Sequence, residues 1–260
     1  EILRCLVGSE MCIRDRYYLS KNSFPIYFIQ DNRVCYLMKK LLDFVPVDII
    51  PYYKGLIFIQ KINIENSGAK LRILGCNFET REINTLTKSA YFMNKFGDAY
   101  KEISEQLADP IGCSAAHLSG KKTAVIYDNG ETGIFDRTGK LIWTGDLLYD
   151  GAPVSSAAAE GSSFWCVARK RNSVLKYSVS SKRFAFRLGS KDSLAFLVPY
   201  HVSKYGNELF VSCPGLNAIK TINLKTFEVD EYCRFKEPVF KYLQFKNFEI
   251  VVLSSGVYVL

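Results

Sequence analysis

The 260-residue chain carries 34 Lys and Arg against 26 Asp and Glu, a net charge of +8, with 48% hydrophobic and 14% aromatic residues. That length supports one large domain with a substantial core. The basic residues are scattered rather than striped, which gives no footprint for specific nucleic-acid binding, and no apolar run reaches the ~18 residues of a transmembrane helix.

In chain order, Glu1–Arg16 comes first. "CLVGSEMCIRDR" (Cys5–Arg16) has neither an apolar period nor turn logic, and no apolar run follows a basic start as in a secretory signal. Back-translated, it resembles the transposon-end adapter used to prepare DNA sequencing libraries. Glu1–Arg16 is therefore expected to be an adapter-derived scar, and the native start, with any targeting signal, to lie outside this sequence. The scar's Arg4, Arg14 and Arg16 balance Glu1, Glu10 and Asp15, so the rest of the chain keeps the charge of +8.

From Tyr17 to Leu260 the chain repeats itself. Units begin at "PVDIIPYYKGLIFIQ" (Pro46), "PIGCSAAHLSGKKTAVIY" (Pro110) and "PVSSAAAEGSSFWCVA" (Pro153). "PYHVSKYGNELFVSC" (Pro199) and "PVFKYLQFKNFEIVVL" (Pro238) follow, at intervals of 64, 43, 46 and 39 residues. "YLSKNSFPIYFIQDNRVCYLM", near residue 17, matches the same template. Each unit reads as four short strands, a to d, with strand b the most apolar and Gly- or Asn-containing turns between strands. Four antiparallel strands at a period of about 40–45 residues predict β-propeller blades; a β-sandwich is the competing all-β reading. A lone blade cannot bury both faces, so apolar residues on both sides of strand b also point to a ring. The expectation is a single all-β domain over 17–260: five nearly complete four-stranded antiparallel blades plus a partial sixth. The chain is expected to be cut at both ends, with Val257–Leu260 forming a third strand left with an open edge.

The first interval exceeds a blade by about 20 residues. Within that excess Phe92, Phe96, Ala99, Tyr100, Ile103 and Leu107 recur at helical spacing, predicting an amphipathic helix over about 87–107. It reads either as a lid or partner-docking helix on the ring face, or as a helix packed over a blade edge or the top of the ring.

"YGNELFVSCPGLNAIKTINLKTFEV" (Tyr205–Val229) resembles the NHL and YVTN type of propeller repeat. That resemblance implies a ring whose faces recognise other molecules; no Trp-Asp repeat is present.

Chemistry-bearing residues are few. Two positions past the prolines stand Asp48, Gly112, Ser155, His201 and Phe240, where inner strands begin. One carboxylate and one imidazole are too few for a metal cage, the isolated cysteines lack zinc spacing, and no phosphate-binding glycine loop occurs. No metal and no cofactor are expected. Buried, reduced cysteines point to a cytoplasmic setting. The leading reading is non-catalytic recognition or scaffolding, one ring face binding a protein or other macromolecule, possibly acidic. Its candidate residues are Arg169, Lys170 and Arg171 in a b–c turn, with Phe92, Phe96 and Tyr100 on the helix. The alternative is a propeller hydrolase or lyase using Asp48, His201 and Lys241 in an axial pocket.

Overall fold

The computed structural model describes residues 38–64, 68–78, 80, 82–106 and 112–260, with strand backbone also at Tyr17–Tyr18, Tyr27–Gln30 and Arg33–Tyr36. The segment read as adapter-derived, Glu1–Arg16, lies outside the described residues, as does Leu107.

Five four-stranded antiparallel sheets form the ring. Blade 1 comprises Asp48–Tyr52, Gly55–Ile64, Gly68–Asn77 and Ile83–Thr85. Blade 2 comprises Cys113–Leu118, Lys122–Tyr127, Glu131–Phe135 and Leu141–Asp146. Blade 3 runs through Ser155–Glu160, Ser163–Ala168, Ser173–Ser178 and Arg183–Gly189. Blade 4 runs through His201–Tyr205, Glu208–Cys213, Ala218–Asn223 and Val229–Arg234. Blade 5 takes three strands from the end of the chain, Val239–Phe245, Phe248–Leu253 and Gly256–Val259.

Two expectations are corrected here. The final blade has no open edge: Lys39–Leu42 supplies its fourth strand, pairing Val257 with Leu42 and Val259 with Lys39. The unit from Pro238, expected as the partial sixth blade, is thereby a complete fifth one, while the unit near residue 17, expected as a nearly complete blade, contributes Tyr17–Tyr18, Tyr27–Gln30 and Arg33–Tyr36 to a separate three-stranded sheet. Closing the ring with a strand from the far end of the sequence ties first and last blades together without a further unit.

The double-sided strand b has a direct physical consequence. In blade 3, Phe164, Cys166 and Ala168 pack toward blade 2 against Ala124, Ile126 and Leu118. The alternate residues Trp165 and Val167 pack toward blade 4 against Val202, Leu209 and Val211. Period-2 alternation thus buries both faces, each side chain fully inaccessible.

The helical excess sits between blades. Helix α1 (Lys88–Phe96) starts at Thr87, whose side chain accepts from the Ala90 backbone N–H at 3.2 Å, an N-cap that satisfies an otherwise unpaired donor. It ends at Gly97, whose φ of +57° suits glycine, and a 3₁₀ turn leads into helix α2 (Tyr100–Gln106). Tyr91 packs on Ile57, Ile59 and Ile73 of blade 1. Phe96, Ala99 and Ile103 pack on Cys113, Val125 and Phe135 of blade 2. The pair thus packs its apolar side against blades 1 and 2.

Candidate functional site

Each strand a begins near the axis, and the five of them enclose a cavity of about 460 Å³. Its lining includes Asp48, Lys95, His117, His201, Lys204 and Lys241, among small residues such as Ala115, Ala116 and Ala157–Ala159. Along strand a of blade 1, burial falls from Asp48, 5% exposed, to exposed Pro51. Asn94, His117 and Lys204 are also exposed, so the cavity opens toward the a–b turns and its floor lies at the strand starts.

Asp48 organises that floor. Its Oδ1 accepts from Lys241 Nζ at 2.7 Å and from the Ile49 backbone N–H at 2.9 Å. Its Oδ2 accepts from Lys95 Nζ at 2.6 Å and from the Tyr91 hydroxyl at 2.5 Å. Lys95 Nζ also lies 2.9 Å from the Tyr91 hydroxyl. Burial alone would raise the Asp48 carboxyl, but Lys241 and Lys95, by charge and hydrogen bond, hold it well below the usual carboxylate range. A charge buried this deeply survives because it is paired and fully hydrogen-bonded.

His201 stands beside this cluster. Burial, reinforced by the positive charges of Lys241 and Arg169, pushes its imidazole down to about 3 despite the opposing Asp48 charge. The ring is therefore neutral at physiological pH, and its buried Nδ1 has no hydrogen-bond partner. His117 is exposed at the cavity mouth, 3.3 Å from the Thr123 hydroxyl. The ionisable lining holds Lys95, Lys204 and Lys241 against Asp48 alone, with both imidazoles held down by burial. The cavity is cationic.

The structure brings Asp48, His201 and Lys241 together, as the axial-pocket alternative requires. Sequence reading missed Lys95 and Tyr91. The signal was present: a lysine four residues after a tyrosine, on the buried side of an amphipathic helix, sits where an apolar residue belongs. Ser155 is buried at the start of its strand, and Phe240 stacks edge-on to Tyr200 at 5.4 Å.

The other candidates are placed elsewhere. Phe96 is fully buried and half-buried Phe92 and Tyr100 pack with it in the same apolar cluster, so none forms a docking stripe. Arg169 pairs with Asp128 at 3.2 Å and stacks 3.9 Å above the Tyr200 ring. Arg171 pairs with Asp150 at 2.9 Å, leaving Lys170 as the exposed cation of that turn.

Among the described residues, Cys76, Cys166 and Cys213 are buried free thiols and Cys113 is buried, no three His, Cys, Asp or Glu converge as a metal cluster, and no helix is long and apolar enough to cross a membrane.

No protein-family model and no curated protein matches the chain. Solved structures do. A streptogramin B lyase structure, 11% identical, covers 94% of this chain and 89% of its own, with a TM-score of 0.51. The virginiamycin B lyase from Staphylococcus aureus, 12% identical, covers 93% and 74%, with a TM-score of 0.47. The sheets define the class: this is a five-bladed β-propeller with a cation-rich axial cavity, and the likeness to the streptogramin B lyase structure bears on the fold alone.

Proposed function

We propose that the chain is a ligand-recognition propeller of the NHL/YVTN-like type, and that its axial cavity takes a small anionic ligand or the anionic end of a larger one. One observation carries this: Asp48, the only carboxylate lining the cavity among the described residues, is already saturated by two lysines and a tyrosine, while Lys241 spends one of its three N–H donors on it. A carboxylate or phosphate entering from the a–b side meets Lys204 and His117 at the mouth, then Lys241 and His201 at the floor. Small alanine side chains leave the room. The same groups support a second reading, a hydrolase or lyase. In it the Lys241 ammonium stabilises the negative charge that develops on a bound substrate, and His201, held at about 3, takes a proton only where that bound anion offsets the lysine's charge.

Calorimetric titration with inorganic phosphate and a panel of mono- and dicarboxylates tests the proposal. At least one should bind more tightly than about 1 mM, and Lys241→Gln should weaken it at least tenfold. No binding across the panel, or an unaffected Lys241→Gln chain, would overturn it.

A further inference from the structure

Blade 1 differs from the others in the mismatch between its last two strands. Strand c is ten residues long, Gly68–Asn77, but strand d, Ile83–Thr85, covers only Leu74–Cys76. Two backbone bonds fix which way strand c points its polar groups. Leu86 N–H donates to the Ile73 carbonyl at 2.9 Å, and Asn77 N–H donates to the Glu82 carbonyl at 2.9 Å. Residues of the 73, 75, 77 series therefore turn their N–H and C=O outward, and alternation carries the pattern back to Leu71 and Ala69. At Thr87 the chain leaves to start helix α1. Among the described residues no strand pairs with Gly68–Arg72 on that side.

The surroundings of this edge are charged in one sense. A cavity of about 320 Å³ beside it is lined by Lys70, Arg72 and Lys88 together with Ile62, Leu71, Ile73, Thr85 and Leu86, and among the described residues its lining holds no Asp or Glu. Lys70, Arg72 and Lys88 are exposed, and among the described residues none forms an ion pair. Lys70 and Arg72, two apart, stand on one face of the strand, while Leu71 and Ile73 stand on the other against the Tyr91 cluster.

We infer that this edge receives an extended acidic segment of a partner protein, added to blade 1 as an antiparallel strand. Its backbone pairs with Ala69 and Leu71. Its residues on the Lys70 and Arg72 face are Asp or Glu, and its alternate residues are apolar against Leu71 and Leu86. Main-chain bonds supply affinity and the alternating side chains supply selectivity, as in other strand-addition complexes. The cations make the encounter salt-sensitive. The edge is separate from the axial cavity and does not depend on what that cavity binds.

Fluorescence anisotropy with the full chain and a labelled Asp-Val-Glu-Val-Asp-Val peptide tests this. The wild type should bind with sub-millimolar affinity that weakens as salt rises. Lys70→Glu with Arg72→Glu, both exposed, should lower affinity at least tenfold at an unchanged melting temperature. The same peptide methylated on its valine amides, which removes the ladder donors and leaves the charges, should not bind. Lys241→Gln should bind as the wild type does. Absence of wild-type binding, equal binding of the methylated peptide, or equal binding by the charge-reversed chain would each overturn the inference. Self-association of a Lys70→Ser, Arg72→Ser chain, with no peptide binding by the wild type, would make the cations mere guards of an open edge and would overturn it too.

Discussion

Replacing Asp48 by Asn should be among the most damaging single changes outside the apolar core. The substitution preserves shape and removes the one charge that neutralises Lys95 and Lys241. Lys95 has 3% of its side chain exposed, so it cannot turn to water, and Lys241 has 18%. Whichever way the amide is turned, its N–H₂ faces a donor, either the Lys241 ammonium with the Ile49 N–H or the Lys95 ammonium. Breaking a buried pair from one side costs about 3–5 kcal/mol, because a buried charge is left uncompensated. Against the ~5–15 kcal/mol that holds a typical domain together, that is a large share. Urea unfolding followed by circular dichroism would read it as a lower midpoint at unchanged slope. A second change, Lys95→Met, removes the stranded cation and should recover about half of the loss. A loss under about 1 kcal/mol for Asp48→Asn, or no recovery in the double variant, would refute the reasoning that the carboxylate and its two lysines form one interdependent unit.

Three more outcomes follow from the same geometry. His201 is held at about 3 against an ordinary 6.5, so its contribution to stability is whole above pH 6.5 and declines as pH falls toward 3, by about 1.4 kcal/mol per unit; His201→Gln should flatten unfolding midpoints between pH 6 and 4, and equal slopes would contradict this. In the cationic turn, Lys170→Ser should change stability by less than about 0.5 kcal/mol, while Arg169→Ser, which loses the Tyr200 stack and the Asp128 pair, should cost about 1–2 kcal/mol in the same urea assay. Removing the chain through Leu42 should lower the melting temperature and promote association, because it uncovers the edge Gly256–Val259 that Lys39–Leu42 now pairs; an unchanged melting curve would mean that this strand does not close the ring.

The repeat was legible because blade chemistry is local. Proline before strand a, an apolar strand b and glycine or asparagine at turns are set by residues a few positions apart, and five such units appear where the prolines put them. Ring closure was not legible: the pairing of Lys39–Leu42 with Gly256–Val259 joins strands more than two hundred residues apart, and no local signal encodes it. The site was half legible. Asp48 and His201 stand at equivalent strand starts, so aligning the units brought them to the axis. Lys95 and Tyr91 come from the one segment that has no equivalent in other units; helical spacing puts them on the buried side, but only the fold shows that this side meets Asp48. The Arg169–Arg171 turn read as free positive charge because its carboxylate partners, Asp128 and Asp150, are distant in sequence.

The central claim is that the axial cavity, and not the cationic turn, is where an anion binds. Crystals soaked in selenate and measured at the selenium absorption edge would locate a probe anion directly. The account predicts an anomalous peak inside the cavity, within hydrogen-bond reach of Lys241 Nζ, that disappears in Lys241→Gln and persists in a chain with Arg169, Lys170 and Arg171 replaced by serine. A peak confined to the Arg169–Arg171 turn, with none in the cavity, would contradict it.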